Sequence, residues 1–297
     1  MQLEKAKRLV AFIFAHPLVA ETAKKGDMLS SNQTDHGMTH FLEVVRLARL
    51  LVEMINAQRP GTFSQWEVEV TIPLAALLHD IGRAINVDEH DKAGAKWTRD
   101  FLRKLTLPGD TETLPWAEVK RISKIVACHR SNVVLKRAFD DACWAVVVLA
   151  DKFAGDEERV RPMRAAILSV LTAFRLSFIP LRKGGIHDRV NFAIKKVEPY
   201  LQGDELGLRL NVDRRVCKPT MILELYGERY QACHLAAAFL GLKFRLELVS
   251  EYSYGAIAGV RKAFGVQKLA LVEKFGFSAG KWTHACACGS RRKVPAA

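Results

Sequence analysis

Leu74-Ala75-Ala76-Leu77-Leu78-His79-Asp80-Ile81-Gly82-Arg83 runs from an apolar stretch straight into a histidine–aspartate doublet. The aliphatic run reads as a buried helix. Pro73 fits the first turn of a helix and Gly82 fits its end, so the pattern predicts a helix over 72–81. A polar pair closing such a segment is costly unless a cation or a hydrogen-bond partner meets it. Neighbours on a helix diverge by about 100°, so His79 and Asp80 cannot fully share a face. They can still reach one ion lying between them beyond the last turn.

The same arrangement recurs on either side. His40 opens a stripe of Phe41, Val44, Val45, Ala48, Leu51 and Ile55 at helical spacing. Asp151 shares a face with Trp144, Val147 and Val148. Taken alone, Asp151 reads equally as a helix-end carboxylate paired with Lys152 or a nearby arginine. A lone histidine beside an apolar stripe is ordinarily a satisfied core or surface residue. Three separate segments that each present ligand-type side chains beside strong apolar helices point instead to one divalent cation with open positions. Such a cation is a common means of breaking a phosphate ester at neutral pH.

The order His40, His79-Asp80, Asp151 resembles the HD-domain superfamily of metal-dependent phosphohydrolases. Asp35-His36-Gly37-Met38-Thr39-His40 is similar to the family's first-histidine segment, Leu77 to Arg83 to its most recognisable stretch, and Ala150-Asp151-Lys152 to its final aspartate segment. The resemblance covers about residues 30 to 160. It implies an all-helical bundle in which these four side chains bind metal. His90 matches a segment where many such proteins carry another active-site histidine, and His129 is a similar case. The resemblance gives both a role with a second metal or with the phosphate, while each could equally cap or pack a helix. Asp80 would then bridge two ions. No GYP signature and no His-His pair accompany His129, so hydrolysis of cyclic dinucleotides of the HD-GYP kind is not expected.

A first shell of two histidines and two aspartates is mixed nitrogen and oxygen, which suits Mn, Fe, Co, Ni or Zn and Mg less well, as one ion or two. Asp80 could orient or deprotonate a metal-bound water, and Arg83, Lys92, Arg130 and Lys152 are placed in sequence to meet a phosphate. Each of these four reads equally as a surface cation. His36, four residues before His40, is either an outer partner or exposed. His16, His187 and His234 fall outside the matched pattern and read as structural or surface residues.

The chain has 297 residues, a formal net charge of +13, 49% hydrophobic and 26% charged residues, ordinary proportions for a globular protein. No apolar run reaches the roughly 20 residues a membrane helix needs. Residues 1–15 read as an amphipathic helix, not a signal peptide. The six cysteines make no disulfide framework, and Cys128, Cys143, Cys217 and Cys233 lie in apolar contexts that read as helical. A cytoplasmic protein with reduced thiols is expected. The positive surplus favours phosphorylated small molecules, nucleotides above all, with nucleic acid as a possible partner. It is equally compatible with a merely solvated surface. Beside hydrolysis of a phosphate ester stand two other readings: a nucleotide-binding sensor without turnover, and a nucleic-acid-binding protein or nuclease.

Up to residue 200 the chain reads as helix, with further stripes at Ala93, Trp97, Phe101 and Leu105 and at Val119, Ile122, Val126 and His129. Segments 163–178 and 189–200 complete this body. Period-two alternation at Leu206, Leu208, Leu210 and Val212, a helix over 219–240 and alternation over 244–249 then make a strand–helix–strand module. The expected architecture is mainly α, an HD-type helical bundle over 1–200 and a small α/β module with a basic tail over 201–297. Residues 186–193, Val212-Asp213 and 236–241 are similar to the C-terminal extension of some bacterial HD-domain proteins, a resemblance that implies no chemistry. Arg189 and Asn191 either help close a substrate pocket or, as Asp188 suggests for Arg189, join an internal ion pair. His284, Cys286 and Cys288 are a weak soft-metal motif, and Arg291-Arg292-Lys293 attracts polyanions.

Overall fold

The computed structural model describes residues 1–30, 34–176, 179, 185–252, 269–278, 281–286 and 291–293. The chain forms two compact units, Met1–Ala154 with Glu228–Leu242, and Gly155–Gly227 with Lys243–Ala297. These units interleave along the chain, where the sequence alone suggests a single boundary at residue 200.

The first unit is helical. It comprises α1 (Leu3–Phe14), α2 (Pro17–Leu29), α3 (Met38–Gln58), α4 (Ile72–Leu78), α5 (His90–Leu102), α6 (Trp116–Cys128), the single turn α7 (Ser131–Val134) and α8 (Ala142–Phe153). Helices α3, α4 and α8 pack on one another and α5 packs on α6. The centre is α8, whose side chains from Cys143 to Asp151 are all buried. Each fully buried Val or Leu there stabilises the fold by roughly 1.5–3 kcal/mol. Asp141 begins α8 by accepting a hydrogen bond from the Cys143 amide at 2.8 Å.

Two expectations for this unit change. The helix holding the doublet starts earlier than residue 72, because helical turns run unbroken from Gln65. Ser64 and Glu67 form a reciprocal cap, Ser64 N donating to Glu67 Oε2 at 2.8 Å and Glu67 N to Ser64 Oγ at 3.3 Å. Pro73 therefore sits inside a helix. A π turn over Glu67–Thr71 opens the ladder immediately before it, where proline's ring and missing N–H would otherwise collide with an α-helical bond. The second change concerns α5. The face it buries carries His90, Asp91, Gly94, Thr98 and Leu102, and not the stripe of Ala93, Trp97, Phe101 and Leu105. Those four line an open cavity of about 860 Å³, where Trp97 and Phe101 stack at 4.7 Å between ring centroids.

The second unit contains α9 (Pro162–Ala173), α10 (Gly185–Ala193) and six strands: β1 (Ile194–Gln202), β2 (Glu205–Val212), β3 (Lys243–Tyr252), β4 (Leu269–Ser278), β5 (Lys281–Cys286) and β6 (Arg291–Lys293). Among the described residues they form one sheet in the order β1 to β6. All neighbours are antiparallel except β2 and β3, which are parallel. Helix α11 (Pro219–Phe239) connects that parallel pair in sequence, and its residues from Glu228 onward belong to the first unit.

The predicted helix over 189–200 is half right: helix stops at Ala193 and β1 follows. Pro199 forbids a helix interior but is tolerated in an edge strand, which β1 is. Gly203, at φ 59°, makes the two-residue turn into β2. The Tyr200 ring then lies flat over Gly207, its cross-strand partner, so closely that a Cβ at 207 would fall 1.9 Å from Cζ. The four described cysteines, Cys128, Cys143, Cys217 and Cys233, are free and buried; Cys217 lies between a turn and α11, not in a helix. Cys288 lies outside the described residues, and for His284 and Cys286 only the backbone, in β5, is described.

Candidate metal centre

Helix α4 delivers the doublet. His79 still has helical dihedrals, at φ −56° and ψ −40°, while Asp80 breaks away at φ −103° and ψ 6°. A 3₁₀ turn over Ile81–Ala84 follows, and its Gly82 meets Gly94 of α5. A Cβ at 82 would lie 2.1 Å from the carbonyl oxygen of His90 and 2.3 Å from the Gly94 nitrogen. Only glycine permits this approach, which sets the start of α5 against the end of α4. His40 lies in the first turn of α3, and Asp151 in the last turn of α8.

These side chains converge. His79 Nε2 lies 3.3 Å from His40 Nε2, 3.7 Å from Asp151 Oδ1 and 3.8 Å from Asp80 Oδ2. His40 Nε2 is 3.6 Å from Asp151 Oδ1. On the other side of Asp80, Oδ1 lies 3.1 Å from His90 Nε2 and 3.4 Å from His129 Nε2. Two buried triads result, one of His40, His79 and Asp151 and the other of Asp80, His90 and His129, each with ligand atoms within 4.8 Å of one another.

The donor set fits divalent cations. Nδ1 of His79, His90 and His129 each lies 2.8 Å from the carbonyl oxygen three residues earlier, at Ala76, Val87 and Val126. A carbonyl can only accept, so Nδ1 carries the hydrogen and Nε2, facing the cluster, presents a lone pair. Burial pushes the His79 imidazole below its ordinary range, against the pull of Asp80 and Asp151, which favours the neutral ligating form. Burial would push both carboxyls up. At Asp80 this is outweighed by the charge of Arg83, with a hydrogen bond from His36 beside it; at Asp151, by the charge of Lys152, with a hydrogen bond from His40. Both carboxyls are thereby held well below the usual range. Buried anions ringed by lone-pair-bearing imidazoles at these spacings match metal–ligand bonds of roughly 2.0–2.2 Å.

The cations expected to meet phosphate sit in different places. Lys152 Nζ is 2.5 Å from Asp151 Oδ2, so Asp151 both pairs with Lys152 and turns Oδ1 to the histidines. Arg83 Nε donates to Asp80 Oδ2 at 2.8 Å. Arg130 donates to the Asp88 carbonyl and, at 3.2 Å, to Asp91. Lys92 is exposed, pairs with Glu89 at 2.6 Å and lines the Trp97 cavity. Arg189 and Asn191 belong to the second unit, where Arg189 donates to the Ile179 carbonyl and Asn191 Oδ1 accepts from the Tyr226 hydroxyl at 2.7 Å. The partner found for Asp188 is Arg164. His16 caps α2 by accepting from the Leu18 amide at 3.2 Å. His187 lies beside Tyr226, and His234 lies in α11 with its pKa lowered by burial.

Of the two readings left open for His36, the structure fits the outer partner, and one further contributor, Asp91, escapes the sequence reading. His36 Nδ1 lies 2.9 Å from Asp80 Oδ2, which makes it a partner of the doublet, and the buried Asp91 anchors Arg130. The Asp35-His36-Gly37 turn hinted at the first: Asp35 Oδ1 accepts from the Gly37 amide at 2.6 Å, and Asp27 Oδ1 accepts from the His36 amide at 3.0 Å. No sequence signal marks the second.

Residues 37–170 match the family model described as HD domain. The matched span contains every member of both triads and starts at Gly37, the residue that caps α3. No curated protein matches the chain. Residues 37–170 of the chain thus carry an HD domain.

Proposed function

We propose that this HD-domain protein hydrolyses a phosphate ester of a nucleotide or a related small molecule, with one or two divalent cations held by its two triads. The observation that carries the proposal is the Asp80 carboxylate shared between them, Oδ2 near His79 and Oδ1 near His90 and His129. His40, His79 and Asp151 would hold one ion, and His90 and His129 the other, with Asp80 between. A divalent cation held there would make its bound water more acidic and polarise a phosphoryl oxygen. Asp80, held ionised, orients the attacking water. Lys152 and Arg83, each already beside a triad carboxylate, offset the negative charge that builds on the phosphoryl oxygens as the P–O ester bond breaks. Arg130, tied to the start of α5, is the next candidate for the phosphate, and Lys92 the most remote. The net charge of +13 supports a polyanionic substrate.

The test is a panel of phosphomonoesters, phosphodiesters and nucleotides offered to protein loaded with Mn or Co. Turnover that disappears in His79→Ala supports the proposal. No turnover with any substrate, together with tight nucleotide binding, points to a sensor. Binding to nucleic acid that falls linearly as log K against log salt points to the nucleic-acid reading.

A further inference from the structure

The last carbonyls of a helix have no partner within it. At the end of α8 they are collected by one side chain from far along the sequence. Arg229, in α11, donates from Nε to the Lys152 carbonyl at 2.7 Å and from Nη2 to the carbonyls of Asp151 and Ala154 at 2.9 and 2.8 Å. Its positive charge also sits at the negative pole of the helix. Two of these three residues, Asp151 and Lys152, are the ones whose side chains enter the centre.

We infer that Arg229, outside the segment matched to the family, is a positioning residue that fixes the Asp151 carboxylate and the Lys152 ammonium for metal and phosphate. This rests on the metal-centre reading given above. A productive site tolerates only about 0.5 Å of misplacement in its ligands, and a small rotation of the last turn of α8 would carry Asp151 Oδ1 past that limit. The planar fork of arginine reaches three carbonyls at once, whereas a lysine offers a single point charge. The rest of the segment is anchored separately. Arg59 donates to the carbonyls of Leu240 and Gly241 at 2.8 and 3.1 Å. Residues Glu228–Leu242 are therefore tied at both ends within the first unit, and of these two ties the Arg229 one touches α8.

That asymmetry supplies the control. Mn²⁺ affinity of the full chain is measured by titration, alongside thermal melting, for wild type, Arg229→Ala, Arg229→Lys and Arg59→Ala. Arg229→Ala is expected to weaken Mn²⁺ binding about tenfold or more, with Arg229→Lys in between. Arg59→Ala is expected to lower the melting temperature and leave Mn²⁺ affinity as in wild type. Wild-type Mn²⁺ affinity in Arg229→Ala overturns the inference, as does a loss in Arg59→Ala equal to that in Arg229→Ala. If Arg229→Ala does not fold, Arg229→Lys decides: weakened affinity at a near-native melting temperature supports the inference and unchanged affinity overturns it. Wild-type protein that binds Mn²⁺ yet cleaves no phosphate ester would sink the hydrolase proposal and leave this one standing.

Discussion

Asp80 Oδ1 lies 3.1 Å from His90 Nε2, while the other oxygen of the same carboxylate takes hydrogen bonds from Arg83 and His36 and faces His79 at 3.8 Å. One side chain thus lies beside residues of both triads. The protein should bind two Mn²⁺ or Co²⁺ ions, and His90→Ala or His129→Ala should retain one. Metal analysis of the purified variants after dialysis checks this. A wild-type stoichiometry of one reduces the second triad to an outer shell.

His79→Ala and Asp151→Ala remove first-triad ligands without adding a charge. Each should lower hydrolysis by more than about a hundredfold, as should exhaustive chelation of wild type. Added Mn²⁺ should restore the chelated wild type but neither variant. Steady-state assays at saturating metal distinguish lost ligands from weakened ones.

Gly82→Ala is a test of backbone approach. The added methyl has His90 O and Gly94 N in its place, so the chain must move where no flexible side chain can yield. Destabilisation of about 1–3 kcal/mol or more is expected in denaturant melts. Because the displaced residue is His90, the second ion should be lost before the first. A variant as stable as wild type would contradict the close contact.

Asp141 caps α8 and pairs with Arg121 at 2.7 Å. Burial would raise its pKa, but the Arg121 hydrogen bond and charge and the Cys143 amide outweigh that and hold it below the usual carboxylate value. A folded-state pKa below the unfolded one means stabilisation that is complete above the unfolded value near pH 4 and is lost as pH falls through the folded value. Asp141→Asn keeps a cap and drops the charge. It should cost about 1–2 kcal/mol at pH 7, and the gap to wild type should close below pH 4. Melting both proteins across that range tests the sign.

The doublet was legible because a histidine and an aspartate that close an apolar helix need a partner, and a cation suits both at once. His40 and Asp151 stood in the same relation to their own stripes. The helical body and the 206–249 module were legible from periodicity. Periodicity failed at α5, where the more apolar face is the more exposed one. Glycines at 82 and 94 and the histidine at 90 decide which side turns inward, and an apolar count does not weigh them. The strand at 194–202 was hidden because Val197 and Leu201 also suit a helical stripe, although Pro199 argued against it. Contacts such as His36 with Asp80, or Arg229 with the end of α8, join residues 44 and 78 apart. No local pattern encodes them.

The π turn at Glu67–Thr71 does more than accommodate Pro73. It holds one residue beyond an ordinary helical repeat, and every side chain downstream inherits that offset. Deleting a single residue there would restore a regular helix and swing His79 and Asp80 by about 100° about its axis, away from His40 and Asp151. Such a shortened protein would keep its helical content and lose its hold on metal, so the phase of the doublet is set well upstream of the chemistry.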